Sequence, residues 1–544
     1  MKRIFICLIL TILPLFSVQA AVNIIPAPEK VTEGKGTFQL KSGMTIGYND
    51  ATLKDAADYL VELLTPATGY LFRTKEGAGA IRLELTAGAD PKDERYTLKV
   101  SKKKVVITAG SYKGIVHGIS TLRQLLPAQI ESGRFIPGMA WTVPVVEVED
   151  APAFEWRGLM LDPVRHFYSV EETKRLIDLM ALYKFSKFHW HLIDSNAWRV
   201  EIKAFPLLTS IGAWRDPAEE WIDTVCEKRF QETGDEALRV PAKYMRRSEE
   251  GKIVYGGFYT QEQIRDIVHY AAVRGIDVVP EMDFPGHSLA EIRCYPWLSC
   301  HGDGQEPLCL GNDRVLDFCK KVFDEVFDLF PYEYVEIGGD EVIRERWMGC
   351  ELCQERIRKE GLADVAQLQA WFTRDMEKYF NAHGRKMVGW DEILDGGVSP
   401  TATVNWWRSD PVTFKKAAVN GNEIIMCPTT HCYFDYAQDD DTMRRLYCDN
   451  LIPDTLTPDE RKLIKGMQAN IWCEFIPTES RMQTMVFPRA IALAEKAWTP
   501  TEAHDFEGFV TRLSGQLGRL DIMGVDYRPL DAGLTVGFNT IMFH

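Results

Sequence analysis

Across residues 21–150 apolar and polar positions alternate in short runs. TFQLKSGMTIGY (37–48), AIRLELTAG (80–88) and RYTLKVSKKKVVITAG (95–110) keep a period of two and break at Gly and Asp. That pattern predicts antiparallel strands joined by turns. Two stretches change to helical spacing, LKDAADYLVELLTPATG (53–69) and YKGIVHGISTLRQLL (112–126). Together they predict a small α+β domain over 21–150.

From about residue 155 the rhythm becomes strand, helix, strand, helix. The strand candidates are 157–162, 185–194, 276–283, 332–341, 385–392, 402–408, 422–428 and 465–474. Helical patterns separate many of them, as at 170–184, 260–275 and 365–384. This alternation predicts an α/β chain whose main unit, 151–500, is a (β/α)8 TIM barrel. Residues 195–258 form its largest insertion, and a helical tail occupies 501–544.

The N-terminus has a different pattern. Lys2 and Arg3 lead into IFICLILTILPLF (4–16) and then SVQA, with Val18 and Ala20 at small-residue cleavage positions. Residues 1–20 are therefore expected to be a signal peptide and the chain to be exported, periplasmic or secreted. The apolar run is too short to span a bilayer, and no later stretch looks like a membrane span, so no membrane insertion is expected.

Composition refines this picture at three points. A formal net charge of -15 and a pI near 5.4 argue against nucleic acid as a partner. Fourteen Trp supply flat faces suited to sugar rings. Of twelve Cys, Cys7 lies in the leader, which leaves an odd number. Cys350-x-x-Cys353 has metal-ligand spacing but no second pair in the sequence. It is read as a local disulfide or two free thiols, and no metal or cofactor is assigned.

The polar residues of the barrel fall at strand ends. Strand one carries Arg157 and Asp162, strand two His189, His191 and Asp194, strand three Glu281, Asp283 and then His287. Strand four ends in YVEIGGDEV (334–342), with Asp340 and Glu341 behind two glycines. Trp390, Trp407, Tyr433, Asp435, Trp472 and Glu474 follow on later strands. The ends of barrel strands gather at one face, which holds the active site. Acids and aromatics converging there suit a neutral polyhydroxy ligand. His189 and His191, two apart on a strand, point the same way. They fit a metal-dependent barrel hydrolase or, as adopted here, histidines hydrogen-bonded inside the barrel. Asp391 and Glu392 are read as solvent-facing, without a catalytic role.

Glycosidic cleavage needs a carboxylic acid to protonate the leaving oxygen. Enzymes with a carboxylate nucleophile or base place the second acid across the sugar. Sequence neighbours such as Asp340 and Glu341 are poorly placed for that. They can serve one edge of the ring, which suits a substrate whose own 2-acetamido group is the nucleophile.

Seven stretches, in order, resemble glycoside hydrolase family 20, the exo-acting β-N-acetylhexosaminidases. They are RGLMLDPVRHFYS (157–169), FHWHLIDSNAWR (188–199), PEMDFPGH (280–287), IGGDE (337–341), GWDEIL (389–394), YFDY (433–436) and QANIWCE (468–474). The resemblance covers nearly the whole chain after the leader, the small domain included. It implies Glu341 as general acid/base, Asp340 as the residue orienting the acetamido group and steadying an oxazolinium, and Tyr433 as donor to the acetamido oxygen. It implies Trp390, Trp407 and Trp472 as pocket walls, and Arg157, Asp435 and Glu474 as holders of the O3, O4 and O6 hydroxyls. Asp283 would support Asp340, while His287 and Asp194 would tune the acid. The ligand expected is an oligosaccharide or glycoconjugate ending in β-N-acetylhexosamine. Glu336 stands where the family often has His, which bears on the pH optimum. A member releasing disaccharides, of lacto-N-biosidase type, and a non-catalytic amino-sugar-binding relative are the alternatives.

Overall fold

The computed structural model describes residues 23–530. The leader assigned to 1–20 lies outside the described residues, as does the end of the tail after 530. Among the described residues no helix is long and apolar enough to cross a membrane.

The first domain is a seven-stranded sheet. Its strands are β1 (Lys30–Gln39), β2 (Thr45–Tyr48), β3 (Arg73–Glu76), β4 (Ile81–Leu85), β5 (Tyr96–Val100), β6 (Val105–Ala109) and β7 (Thr142–Asp150), in the order β1-β7-β5-β6-β4-β2-β3. The sheet is mixed rather than antiparallel: β2 runs parallel to both β3 and β4, and β4 runs parallel to β6. A period of two reports which face a side chain takes and says nothing of strand direction. Between β2 and β3 the chain returns through α1 (Lys54–Thr68), and that crossover makes the pair parallel. Helix α2 (Tyr112–Leu125) starts at Ser111, whose hydroxyl accepts from Gly114 N–H.

The second domain is a closed barrel. All eight expected strands form: β8 (Trp156–Leu161), β9 (Lys187–His191), β10 (Asp277–Glu281), β11 (Tyr334–Glu336), β12 (Lys386–Trp390), β13 (Thr403–Trp406), β14 (Glu423–Met426) and β15 (Ile464–Ile471). Neighbours pair in parallel, and β15 closes on β8. Their near-continuous burial follows from helices outside and packed side chains inside. The first outer helix, α3 (Val170–Leu182), opens with a capping box between Ser169 and Glu172.

The barrel interior is layered. Trp156, Val279, Tyr334, Val388 and Ile425 form an apolar floor. Above it sits a polar layer: Gln468 reaches His189 at 2.9 Å and Asn470 at 3.0 Å, and Asn405 donates to Glu336 at 2.7 Å. The insertion at 195–258 contributes a three-stranded sheet (Trp214–Arg215, Met245–Arg247, Ile253–Gly256) and a helix, Trp221–Thr233.

The small domain packs against the N-terminal end of the barrel. Lys184 bonds Asp150 at 3.0 Å and Tyr96 at 2.9 Å, and Trp498 donates to Asp150 at 2.9 Å. A C-terminal helix, Phe506–Met523, lies along the same seam and ties Arg519 to Glu131 at 3.0 Å.

Candidate active site

The C-terminal ends of the strands surround a cavity of about 380 Å³. Asp194, His287, Asp340, Glu341, Trp407, Tyr433, Asp435, Trp472 and Glu474 all line it. Nine residues from six separate stretches therefore meet at the face where barrel enzymes keep their chemistry.

The turn after β11 makes the acid pair possible. Gly338 and Gly339 have φ of 73° and 93°, and Glu341 takes φ of 51°, sparsely populated for a residue with a side chain. A Cβ on Gly338 would fall 1.9 Å from Asp283 Oδ1, so the close approach of the two strand ends requires glycine. Asp283 then accepts from Gly339 N–H at 3.0 Å. Burial, followed by the neighbouring Asp340 charge, pushes the Asp283 carboxyl well above the usual carboxylate range.

A chain of ionic contacts climbs from the barrel core to this pair. Glu281 binds His189 at 2.9 Å and His191 at 2.6 Å, and His191 reaches Asp194 at 3.2 Å. The histidine pair is thus held inside the barrel by a carboxylate. Asp194 Oδ1 lies 3.4 Å from His287 Nδ1, and His287 Nε2 lies 3.6 Å from Asp340 and 3.7 Å from Glu341. Burial disfavours a charged His287, but the Asp194 and Asp340 carboxylates outweigh it and hold its pKa well above the ordinary value. Burial likewise opposes charge on Asp194, yet Arg165 and His287 keep it well below.

Glu336 faces the core. It is fully buried beside Glu281, Asp340 and Asp283, and burial is the largest of the influences that raise its pKa far above normal. Burial therefore biases its carboxyl toward the neutral form. The departure from the family's histidine is absorbed within the polar layer.

Aromatic rings form the walls. Trp407 stacks on Tyr433 at 6.1 Å, Tyr433 on Tyr436 at 6.0 Å, and Trp472 tilts against Tyr433 at 6.2 Å. Asp391 and Glu392 are buried rather than solvent-facing. Glu392 accepts from Trp407 Nε1 at 2.9 Å, and Asp391 accepts from the Trp407 backbone N–H at 3.2 Å. They fix the wall. Burial and then Asp340 push the Glu392 carboxyl up to about 8. Asp340 Oδ1, Asp435 Oδ1 and Trp472 Nε1 are buried without a hydrogen-bond partner among the described residues. Buried polar atoms without a protein partner call for a water, an ion or a ligand, and these three line the cavity. Burial lifts the Asp435 carboxyl to about 7.

Two expected wall or support residues lie behind the cavity. Trp390 is 1% exposed, donates to Glu281 at 2.8 Å and supports Trp472 at 5.8 Å. Asp283 lies behind the glycine turn.

Arg157 is not at the site. It is the second residue of β8, roughly 13 Å along the strand from Leu161 at about 3.3 Å per residue. It points into the domain seam, pairs with Glu94 at 2.5 Å, and lies 5.0 Å from the Trp498 ring. The arginine at the cavity is Arg165, in the loop after β8, bound to Asp194 at 2.7 Å and Asp162 at 3.1 Å. Its signal was present, since it lies in the quoted stretch 157–169, eight residues later. Arg157→Ala is expected to lower stability by about 3–5 kcal/mol, by removing the charged partner of buried Glu94 and leaving it only His117 at 2.8 Å, while leaving KM unchanged. Denaturant unfolding and steady-state kinetics check this; a raised KM at full stability would return Arg157 to the sugar.

Sequence patterning also missed Trp221, Tyr436 and Phe475 at the rim. Trp221 comes from the insertion and meets Phe475 edge-on at 5.6 Å.

The sequence model "Glycosyl hydrolase family 20, catalytic domain" matches residues 154–501 and "Glycosyl hydrolase family 20, domain 2" matches 21–151. The chain belongs to glycosyl hydrolase family 20. Among family 20 relatives, a Beta-hexosaminidase of Porphyromonas gingivalis is 38% identical over 93% of this chain; the match spans 64% of that protein. A Beta-hexosaminidase of Vibrio furnissii is 34% identical over 87% of this chain and 76% of its own length. The GH20 exo beta-N-acetylglucosaminidase of Vibrio harveyi, solved in complex with N-acetylglucosamine, superposes with a TM-score of 0.79 at 32% identity, covering 93% of this chain and 78% of that one. The family 20 catalytic span contains the whole cavity, and its domain 2 contains the seven-stranded sheet.

Proposed function

We propose that this chain is an exported, retaining exo-β-N-acetylhexosaminidase. It releases terminal, non-reducing β-linked GlcNAc or GalNAc through an oxazolinium intermediate. The placement of the acid pair carries this reading. Asp340 and Glu341 both approach the same His287 nitrogen, so they occupy one edge of the cavity. They cannot flank a sugar from opposite faces, as a carboxylate nucleophile and its acid must. The second role then falls to the substrate's acetamido group.

The steps follow from position. Glu341, with a side chain 62% exposed at the cavity mouth, protonates the departing oxygen. Asp340 accepts the acetamido N–H and steadies the positive charge that develops there. The Tyr433 hydroxyl, kept protonated because burial raises its pKa, donates to the acetamido oxygen and aligns it on the anomeric carbon. The C–O bond to the leaving group breaks as the carbonyl oxygen bonds to that carbon. Glu341, now a carboxylate, takes a proton from water, which attacks the same carbon and opens the ring. Two inversions give net retention. Asp435 and Glu474 accept hydroxyl hydrogens of the terminal sugar, with Arg165 beside them, and Trp407 and Trp472 cover its faces. A cavity at the small end of the range for ligand sites favours one sugar over two. That family 20 relatives are named beta-hexosaminidases supports the substrate class, and the leader-like N-terminus supports export.

A thiazoline mimic of the cyclised intermediate tests the reading. It is expected to inhibit competitively and to bind at least about 100-fold more tightly than an aryl β-N-acetylglucosaminide. Absence of inhibition, or recovery of a peptide glycosylated on Asp435 or Glu474, would overturn the mechanism. Absence of any turnover would favour the non-catalytic relative.

A further inference from the structure

Two loops that carry the candidate catalytic residues meet again behind the cavity, at four cysteines. Cys300 and Cys309 belong to the loop after β10, which also carries His287. Cys350 and Cys353 follow Glu341 in the loop after β11. All four are buried, at 0–2% exposure. Cys309 Sγ lies 3.7 Å from both Cys350 and Cys353, Cys300 lies 3.9 Å from Cys353, and all four sulfurs lie within 4.8 Å of one another.

These distances have a definite meaning. Tetrahedral zinc thiolates have Zn–S bonds of about 2.3 Å, which places neighbouring sulfurs about 3.8 Å apart. In an oxidising compartment the ordinary fate of four adjacent cysteines is two disulfides. A disulfide sulfur has one near partner. Cys309 has two, equally distant, as at the corner of a tetrahedron.

The backbone is built to bring the pairs together. A bridge between Ser299 and Leu308, with Cys309 N–H donating to Leu298 at 2.8 Å, closes the first loop and sets Cys300 beside Cys309. Cys350 is the N-cap of the helix Glu351–Glu360, and Cys353 sits in its first turn. Trp347 Nε1 donates to Leu308 at 2.9 Å across the two loops. Gly311 lies so close to Leu352 and Cys353 that a Cβ would come within 2.1 Å of their backbone.

We propose that Cys300, Cys309, Cys350 and Cys353 form a structural zinc site that fixes the His287 loop to the Glu341 loop. On binding, each thiol releases its proton to solvent and the four sulfurs ligate one Zn²⁺. The metal takes no part in the chemistry; it is a clasp that positions the acid. The site is independent of the substrate assignment, because its first readout is metal content.

The mature chain, purified without chelator, is expected to retain about one zinc per molecule by mass spectrometry of metals after dialysis. A mercurial titrant should release that zinc, and cobalt exchanged in its place should show the intense visible bands of a tetrahedral thiolate. Peptide mapping without reductant should find the four cysteines unpaired. Cys353→Ser should lose the zinc and lower kcat several-fold at constant KM. Cys353→His, which preserves a four-ligand set, should keep both, and Cys448→Ser, at an exposed cysteine, should change neither. Disulfides among the four, iron in place of zinc, or a fully folded protein without metal would each overturn the assignment. These measurements on the unmutated chain hold even if the Ser variant fails to fold.

Discussion

Glu341→Gln will lower kcat/KM by roughly 10²–10⁴-fold for substrates with sugar or alkyl leaving groups, the range by which a positioned general acid accelerates such a step. The loss will shrink as the leaving group becomes more acidic, because a dinitrophenolate departs without a proton. For such substrates the oxazolinium should form at a near-normal rate and then persist, since no base remains to activate water. A burst of phenolate followed by slow turnover is the expected trace. Azide, a nucleophile that needs no deprotonation, should restore turnover and yield a β-glycosyl azide. A near-normal rate across the leaving-group series would remove Glu341 from the acid role.

Asp340→Asn will behave differently. Asparagine keeps the volume of the side chain but carries no charge to set against the developing oxazolinium. A loss in kcat of roughly 10²–10³-fold is expected, comparable to deleting one preorganised electrostatic group. It should be nearly independent of the leaving group, and thiazoline affinity should fall with it. Since Asp340 also borders His287 and Asp283, the pH profile of the variant should shift as well. Leaving-group dependence separates the two acids: steep for Glu341, flat for Asp340. Matching behaviour in both variants would show that the division of labour between them is wrong.

Much of this arrangement could be read from residue order, and the reasons differ by element. The barrel was legible because parallel strands buried on both faces produce apolar runs, and outer helices between them change the period. The site was legible because strand ends carry acids and aromatics that packing alone would not place there. Arg157 was misread because a six-residue strand has two ends, and hydrophobic pattern does not say which end a polar residue occupies. Asp391 and Glu392 were read as exposed because carboxylates usually are; their burial depends on Trp407 and Arg408, just past the end of the following strand. Trp221 was hidden in an insertion whose fold has no repeating pattern. The partners of Cys350 and Cys353 were hidden by spacing. Eight residues separate Cys300 from Cys309, and only the bridge between Ser299 and Leu308 brings their sulfurs together. Sheet direction in the first domain was lost for a related reason, because alternation is the same in either orientation.

The seam beneath the barrel has a consequence for how the polypeptide can be cut. Glu94 and Asp150 come from the sheet domain, and their buried countercharges Arg157 and Lys184 come from the barrel. Separating the halves would leave unneutralised ions on both new surfaces, next to an uncovered Trp498. The region before residue 151 is thus joined to the barrel through buried charge pairs rather than hung from it by a linker. It is the lower wall of the enzyme, and the two halves should melt in a single cooperative step.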